Sequence, residues 1–346
     1  MKIGIITFNW AINYGAVIQA YALQEFLKSQ GAEVDIINYK PLRYDLMPLR
    51  EVLRNPKQIR PQLRLLQRDR LINQFRSSFL NQTKRYYSNI ELKRASLKYD
   101  LVISGSDQVL NPSFTIGGEG KPTETYYLGF AKKDIKRIGY AVSFGCIQYP
   151  EYALDYALKW INNFDLIGVR ENSGLRILEQ LHFKGEKLVV PDPTLLYGTR
   201  LFEKLNLPCT TQKRDICAYL LGGVRPSFHQ DIKIYFIDEH HKSISMIEWL
   251  GAIRDTNFFL TNSYHGMLVA ILFHTPFAVI KNANSKGQND RMTTVLDKLN
   301  LSERFVDNEE TQINKVFNDV TDWEKVDDSI KRFRQEGVDF LMRSLS

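Results

Sequence analysis

The sequence lacks any apolar stretch that approaches the roughly 18 residues of a membrane-spanning helix. The N-terminal segment, residues 1–8, has too short an apolar run for a secretory signal and predicts a first β-strand. The three cysteines are odd in number and widely spaced, so they indicate neither a disulfide framework nor a Cys-x-x-Cys metal motif. We therefore expect a protein of a reducing compartment, the cytoplasm.

Motifs for common cofactors are also missing. Gly222-Gly223 is not followed by the remaining glycines of G-x-G-x-x-G, and no Walker motif occurs. The run Asp238-Glu239-His240-His241 lacks helical histidine spacing such as H-E-x-x-H, so a polar loop is the better interpretation. The sequence thus supports neither a nicotinamide cofactor nor nucleoside-triphosphate hydrolysis, and we expect no metal site and no cofactor.

The composition is that of a globular protein of about two domains. Hydrophobic residues make up 44% and charged residues 25% of the 346 residues, which allows a sizeable core. Short apolar strands alternate with helices, and this order predicts mostly parallel α/β sheets. We expect an N-terminal domain over residues 1–196, a C-terminal domain over 197–321, and a charged helix over 322–346 that packs back on the first domain.

The connection from Leu221 to Lys233 is unusually short. It has about a dozen residues, which barely reaches the minimum for a parallel crossover that contains a helix. We expect this unit to have lost its helix.

The positive charge is concentrated in one segment. The chain has a net charge of +7, but residues 40–98 alone contain 15 Lys or Arg against 4 acids, so the rest is net negative. We interpret residues 41–98 as a basic helical insertion in the first domain. Its cationic face is either solvated or attached to an anionic membrane surface. Nucleic-acid binding is disfavoured because no nucleic-acid motif accompanies the charge.

Candidate functional residues follow the predicted strands, because open parallel sheets bind ligands at the carboxyl ends of their strands. Arg170 and Lys281 each end a strand, and His265 begins the helix after another. Arginine binds phosphate or carboxylate bidentately, lysine acts as a point charge, and histidine moves protons near neutral pH. Together they predict a pocket for a small, multiply charged anion. Taken singly, Arg170 also fits a surface ion pair, Lys281 a solvated strand end and His265 a helix cap.

Further polar residues occupy the same kind of position. Around His265 they are Asn262, Ser263 and Gly266. In the first half of the chain they are Asn13, Gly15, Ser104, Asp107 and Gln108. Each of these also fits a turn, a cap or a close backbone approach, so the hypothesis of a site depends on their coincidence at strand ends.

Several short segments, taken in order over roughly residues 1–300, carry a resemblance to a known family. They are Ile5-Ile6-Thr7-Phe8, Asn13 to Gln19, Ser104 to Gln108, Tyr140 to Gly145, Val169 to Gly174, Val190 to Thr194 and Thr261 to Gly266. Together they resemble the polysaccharide pyruvyl transferase family. The resemblance implies two Rossmann-like domains facing a cleft, as in GT-B glycosyltransferases. It also implies transfer of pyruvate from phosphoenolpyruvate to a sugar of a cell-surface glycan precursor, usually as a cyclic ketal.

The resemblance also implies roles by position. Arg170 would bind a donor anion, His265 would be the acid/base residue, and Lys281 would be a second donor cation. Arg291, at a helix start, is a weaker donor candidate, beside the donor-pocket residues Asn262, Ser263 and Gly266. The acceptor side would comprise Asn13, Gly15, Ser104, Asp107 and Gln108. Some family members carry an arginine where this chain has Ser263, so the phosphate cation there must come from elsewhere or be missing.

Two other function classes remain open. A glycosyltransferase with a nucleotide-sugar donor needs an acidic residue for the donor ribose, and Asp238 is the only weak candidate. A non-catalytic polyanion-binding protein would bind through the basic segment alone. In the leading hypothesis, an acceptor carried on a lipid diphosphate would place the protein on the inner membrane face.

Overall fold

The computed structural model describes residues 1–118, 120–208, 214–227, 233–237, 241, 243–282 and 286–345. Within these residues, two parallel sheets form the cores of two α/β domains, which confirms the predicted fold class. Asp238, Glu239 and His240 of the predicted polar loop lie outside the described residues.

The first domain is built on a six-stranded parallel sheet with the order β2-β1-β3-β4-β5-β6. Its strands are β1 (Lys2–Ile6), β2 (Glu33–Ile36), β3 (Leu101–Ser104), β4 (Lys136–Val142), β5 (Leu166–Val169) and β6 (Glu186–Val189). Its helices are α1 (Tyr14–Ser29), α2 (Leu42–Arg54), α3 (Ile59–Phe79), α4 (Asn89–Ala95), α5 (Pro112–Thr115), α6 (Glu151–Ile161), α7 (Asn172–Gln180) and α8 (Pro193–Tyr197). β1 and β3 are almost wholly buried and apolar, as expected of central strands in a parallel sheet.

The second domain is built on a smaller parallel sheet with the order β11-β10-β9-β7-β8. Its strands are β7 (Arg214–Tyr219), β8 (Ile234–Phe236), β9 (Thr256–Thr261), β10 (Phe277–Ile280) and β11 (Phe305–Val306). Its helices are α9 (Met246–Arg254), α10 (Tyr264–Leu272), α11 (Lys286–Lys298) and α12 (Glu310–Phe317), followed by the terminal helix α13 (Trp323–Leu345). In the connection between β7 and β8, residues 220–227 contain no helix, and residues 228–232 lie outside the described part.

Strand β4 contains an irregularity that shapes the edge of the first sheet. Its pairing with β5 shifts between Gly139 and Val142, and Ala141 has a φ of 52°. A left-handed residue in a strand bends it and redirects its end. Val142 then pairs with Asp107, and the amide of Ser143 donates to the carbonyl of Asp107 at 2.9 Å. The bulge therefore ties the loop after β3 to the end of β4.

The basic insertion is attached to the first domain through the second half of α3. Arg76 is 5% exposed and donates to the carbonyls of Asn9 at 2.8 Å and Ala11 at 2.6 Å. Ile72 and Phe75 are buried beside it. By contrast, α2 has no buried residue.

Helix α13 contacts both domains. Near its start, Asp327 lies 2.9 Å from His274 of the second domain. Nearer its end, Arg334 donates to the carbonyl of Leu196 at 2.9 Å. None of the described helices combines the length and apolar character needed to cross a lipid bilayer.

Candidate active site

Arg170 lies at the centre of a buried ion-pair cluster where the strands of the first sheet end. It follows β5 and is fully buried. Its Nη2 atom lies 3.2 Å from Asp107 and its Nη1 atom 3.4 Å from Asp192. Its Nε atom lies 3.7 Å from Glu171. Because three carboxylates surround one guanidinium, the protein itself neutralises the charge of Arg170.

Asp192 connects this cluster to the second domain. It follows β6, and its Oδ2 atom accepts a hydrogen bond from Ser106 at 2.7 Å. The same oxygen lies 3.5 Å from Nε2 of His265, which belongs to α10. Contacts of catalytic groups are often this long in unliganded enzymes and shorten when substrate binds. Asp192 is therefore placed to orient the imidazole of His265.

Two buried carboxylates of the cluster have opposite pKa shifts. Burial raises the pKa of each, because an ionised carboxylate loses its solvation. At Asp192, His265 and Arg170 outweigh burial and hold the pKa well below its usual range. At Glu171, burial exceeds the effect of Arg170 and the pKa is raised. The cluster thus combines a carboxylate that stays ionised with one that resists ionisation.

His265 contacts the first turn of α1, which belongs to the other domain. Its side chain is almost fully buried. A Cβ atom added at Gly15 would lie 2.5 Å from Cγ of His265 and closer still to Nδ1. Next to it, Tyr14 stacks on Trp249 of α9 with ring centroids 5.1 Å apart. The hydroxyl of Tyr14 also donates to the carbonyl of Ile244 at 2.6 Å, so the domains meet tightly beside His265.

Arg291 is a second guanidinium close to the cluster. Arg291 and Arg170 both face the ring of Tyr264, at 5.5 and 4.8 Å from its centroid. Burial, and then the charge of Arg170, lower the pKa of Arg291 to about 10. Among the described residues Arg291 forms no ion pair, and its Nε atom has no hydrogen-bond partner. Unlike Arg170, it keeps its capacity to bind an anion.

The N-terminus of α7 is occupied by groups from the second domain. The amide of Ser173 donates to Asp290 at 3.0 Å, and the amide of Asn172 donates to Thr294 at 3.2 Å. Both acceptors belong to α11, so they satisfy helix-start donors that otherwise lack partners. This contact also holds α11, and with it Arg291, beside the cluster.

The predicted donor-side residues around His265 hold α10 in place. Ser263 is the N-cap of α10 and its hydroxyl accepts from the amide of Gly266 at 3.3 Å. Asn262 exchanges two hydrogen bonds with the backbone of Leu221, at 2.7 and 3.0 Å. These side chains therefore fix the imidazole by fixing the start of its helix.

Lys281 lies toward the edge of the second sheet. It forms an ion pair with Asp307 at 3.1 Å and lies over the ring of Phe305. Within the described residues no hydrogen bond or ion pair joins it to the Arg170 cluster. The structure thus brings His265 and Arg170 together but not Lys281.

The predicted acceptor-side residues lie at the start of α1, at the end of β3 and on the loop that follows β3. Asn13 is the N-cap of α1, and Ser104 is buried with a hydroxyl that has no hydrogen-bond partner among the described residues. Gln108 accepts from Asn111 at 2.8 Å. Asp107 has a φ of 92°, a strained backbone for a residue other than glycine. Such strain is typical of functional loops held by their surroundings.

Sequence reasoning assigned no role to Asp192, Glu171 or Tyr264. Asp192 follows a strand and precedes a proline, so the strand-end rule applied to β6 would have found it. Glu171 and Tyr264 each adjoin a chosen residue, but nothing in the sequence shows which way they face. Within the described part of the chain, no three carboxylate, imidazole or thiol groups converge as a metal ion requires.

Solved structures share the architecture over nearly the whole chain. UDP-GlcNAc 2-epimerase from Neisseria meningitidis bound to UDP-GlcNAc has a TM-score of 0.54 at 11% identity, covering 100% of this chain and 99% of that chain. MnaA from S. aureus with UDP has a TM-score of 0.52 at 10% identity, covering 95% of this chain and 90% of that chain. UGT89C1 from Arabidopsis thaliana complexed with UDP-L-rhamnose has a TM-score of 0.51 at 9% identity, covering 98% of each chain. These neighbours show a GT-B-like fold. No curated protein sequence matches the chain.

The family is shown by the sequence itself. A family model described as polysaccharide pyruvyl transferase matches residues 13–284. The matched range includes Arg170, Asp192 and His265, and it confirms the resemblance that the short segments indicate. The chain therefore belongs to the polysaccharide pyruvyl transferase family.

Proposed function

We propose that this protein transfers the pyruvyl group of phosphoenolpyruvate to a sugar of a cell-surface glycan precursor, such as a capsule or exopolysaccharide unit. One observation carries the proposal. A buried histidine, His265, lies beside the ionised carboxylate of Asp192, near a guanidinium, Arg291, that forms no ion pair within 4 Å among the described residues. Phosphoenolpyruvate carries a phosphate and a carboxylate, which are the groups that arginine binds most strongly.

The reaction requires a proton carrier that faces both substrates. In our proposal, Asp192 stays beside Nε2 of His265 and orients the ring, and the imidazole gives a proton to the methylene carbon of phosphoenolpyruvate. An acceptor hydroxyl adds to the phosphate-bearing carbon and returns its proton to His265. The bond to phosphate then breaks, a second hydroxyl closes the ketal, and the proton of that hydroxyl leaves with the phosphate.

The charges of the site suggest separate roles for its cations. We assign the donor phosphate to Arg291, because its desolvated charge is compensated when an anion binds. Arg170 is occupied by three carboxylates, so we assign it the positioning of Asp192 and Asp107. Lys281 would have to leave Asp307 to reach the donor, and we give it no primary role. Because the cluster is buried between the domains, substrates enter only when the domains move apart.

Ligand-induced stabilisation tests the donor. Phosphoenolpyruvate should raise the Tm of the wild-type protein, since a ligand at roughly a hundred times its Kd adds about 2.7 kcal/mol. UDP-GlcNAc serves as the competing ligand, because a glycosyltransferase would respond to it instead. A shift with UDP-GlcNAc and none with phosphoenolpyruvate would reverse the assignment in favour of the glycosyltransferase. Binding retained by the isolated basic segment would favour the polyanion-binding alternative.

Turnover tests the proton carrier. Phosphate release from phosphoenolpyruvate is measured with a panel of p-nitrophenyl hexosides and N-acetylhexosaminides as acceptors. His265→Ala should lower the rate by roughly 10²–10⁴-fold, because general acid–base catalysis contributes that much. His274→Ala is the matched control, since His274 is half-exposed and pairs with Asp327 away from the cluster. Near-wild-type turnover in His265→Ala would remove the proposed mechanism.

We also propose that the basic insertion attaches the protein to an anionic membrane that carries a lipid-diphosphate-linked acceptor. The proposal is supported by α2, which has no buried residue, and by the first turns of α3. Large apolar side chains there are exposed, namely Leu42, Leu46, Met47, Leu49, Leu53, Ile59, Leu63, Leu65 and Leu66. Apolar side chains between basic ones are typical of helices that lie in a membrane interface.

Vesicle flotation tests the attachment. The wild-type protein should float with vesicles that contain phosphatidylserine and stay behind with phosphatidylcholine alone. The double variant Leu49→Asp/Leu53→Asp should lose flotation, because it places charge where apolar contact is needed. Val320→Asp is the control, since Val320 is 90% exposed but lies outside the insertion. Equal flotation of both variants would show that the apolar face is not used.

A further inference from the structure

A polar cavity of about 360 Å³ lies in the first domain, apart from the Arg170 cluster. Its base is formed by the loops after β1 and β2, through Asn9, Trp10 and Asn38. One wall is α3, from which Asp69, Asn73 and Arg76 face the cavity. The volume lies in the range of small-ligand sites, roughly 300–1,000 Å³.

Residues of the cavity wall carry buried polar atoms that have no hydrogen-bond partner among the described residues. Asn9 is 0% exposed, yet neither its Nδ2 nor its Oδ1 atom has a hydrogen-bond partner among the described residues. The same holds for Nε1 of Trp10 and Nε of Arg85. Buried polar groups are rarely left unsatisfied in native proteins, so this part of the molecule requires a bound water or ligand to complete its hydrogen bonds.

The charges in the cavity are nearly balanced. Arg76 pairs with Asp69 at 2.8 Å. Lys40 pairs with Asp45 at 2.8 Å, and Arg85 pairs with the same carboxylate. Three cations against two acids leave one positive charge, so a multiply charged anion finds few free partners here. A neutral or singly charged polar ligand fits better.

The remaining lining residues are rich in amides. Asn9, Asn38, Asn73 and Gln82 each offer a donor and an acceptor. A sugar hydroxyl is likewise both donor and acceptor, so a ring with several hydroxyls can satisfy amides on opposite walls.

The position of the cavity relates it to the reaction site. Asn9 lies on the short loop between β1 and α1, and Gly15 lies in the first turn of α1, where it touches His265. Six residues of chain span at most about 20 Å, which a few linked sugar rings also span. An acceptor held in the cavity therefore has its neighbouring unit within reach of His265.

We propose that this cavity binds a sugar unit of the acceptor, so that the basic insertion contributes to acceptor recognition through α3. That the bound sugar is the acceptor rests on the proposed function, but binding of a sugar in the cavity is tested without turnover. The full-length protein is used, with the p-nitrophenyl hexosides and N-acetylhexosaminides as probes. Binding is measured by saturation-transfer difference NMR.

The wild-type protein should bind at least one glycoside of the panel. Asn73→Ala/Gln82→Ala should weaken that binding by about tenfold or more, because two hydrogen bonds are lost. Gln67→Ala removes an amide from an exposed position of the same helix outside the cavity, so it should leave binding unchanged. Thermal stabilisation by phosphoenolpyruvate should be the same in all three proteins.

Three results would overturn the inference. They are the absence of binding by every glycoside, binding undiminished in Asn73→Ala/Gln82→Ala, and displacement of the glycoside by pyrophosphate at comparable concentration, which would mark an anion site. The outcomes separate this inference from the donor assignment. If glycosides bind in the cavity and phosphoenolpyruvate does not stabilise the protein, the sugar site stands and the proposed reaction fails.

Discussion

Substitution of Gly15 by alanine provides a sharp test of the geometry around His265. Gly15 lies in the first turn of α1, and its φ is outside the left-handed region, so the backbone accepts alanine. The new Cβ atom would lie 2.5 Å from Cγ of His265 and 2.8 Å from its Cβ. Carbon atoms in ordinary contact are about 3.5–4.0 Å apart, so His265 must move by about 1 Å.

The expected effects on stability and activity differ in size. Alanine gains about 0.5–1 kcal/mol over glycine within a helix, and overpacking costs about 1–3 kcal/mol. The net change in the free energy of unfolding should therefore stay within about 2.5 kcal/mol. Turnover should fall by about a hundredfold, because a misplacement of about 1 Å at a reacting group has that effect.

Phosphate release from phosphoenolpyruvate and urea denaturation measure the two quantities side by side. Gly251→Ala is the matched control, because Gly251 lies within helix α9 and a Cβ atom there would meet no described residue closer than Asp255, at 3.9 Å. It should stabilise the protein by about 1 kcal/mol and leave turnover unchanged. If Gly15→Ala keeps wild-type turnover, His265 is not held against α1 during the reaction and the site geometry is wrong.

The remaining predictions concern the charges of the cluster. Asp192→Asn should lower the free energy of unfolding at about pH 7 by about 1.5–3 kcal/mol, because Arg170 and Ser106 lose a charged hydrogen-bond partner. The pKa of Asp192 is lower in the folded than in the unfolded protein, so the stability that its carboxylate provides is present above the unfolded pKa and is lost as the pH falls. Asp192→Asn should therefore lose less of its free energy of unfolding in acid than the wild type does. The pKa of Glu171 is higher in the folded than in the unfolded protein, so its contribution to stability is present below the unfolded pKa and is lost as the pH rises. Glu171→Gln should therefore be as stable as the wild type or more stable at about pH 7. Urea denaturation of both variants from acid to neutral pH checks both predictions. Equal destabilisation by the two substitutions would contradict the opposite pKa shifts of Asp192 and Glu171. Arg291→Met should leave the unliganded protein as stable or up to about 3 kcal/mol more stable, while abolishing the Tm shift with phosphoenolpyruvate; a retained shift would exclude Arg291 as the donor cation.

Local patterns in the sequence predict the architecture because they reflect the burial and the backbone preference of each short segment. Alternating apolar strands and helices predict parallel sheets, and the described residues form two of them. The strand-end rule led to Arg170 and His265 because the carboxyl ends of parallel strands share one edge of a sheet. The concentration of lysine and arginine in residues 41–98 identified the insertion whose helix α2 carries no buried residue.

The same rule could not distinguish Arg170 from Lys281. Both end strands, but one is enclosed by three carboxylates and the other pairs with Asp307 at the edge of its sheet. Only the packed structure decides this, because the outcome depends on which acids lie within 4 Å. The packed structure likewise places Asp192 beside His265, and it leaves Arg291 without an ion pair among the described residues.

The sequence by itself determined the fold class, the family and the residue types available for binding anions. The tertiary structure decided which of those residues meet. The partners of the central contacts come from distant parts of the chain: 63 residues separate Arg170 from Asp107, 86 separate Ser106 from Asp192, and 230 separate Tyr14 from Ile244. A pattern within a short segment reflects burial and backbone preference, whereas an ion pair depends on distances of a few ångströms set by the packing of whole domains. The charge balance of the active site therefore appears only once the two sheets face each other.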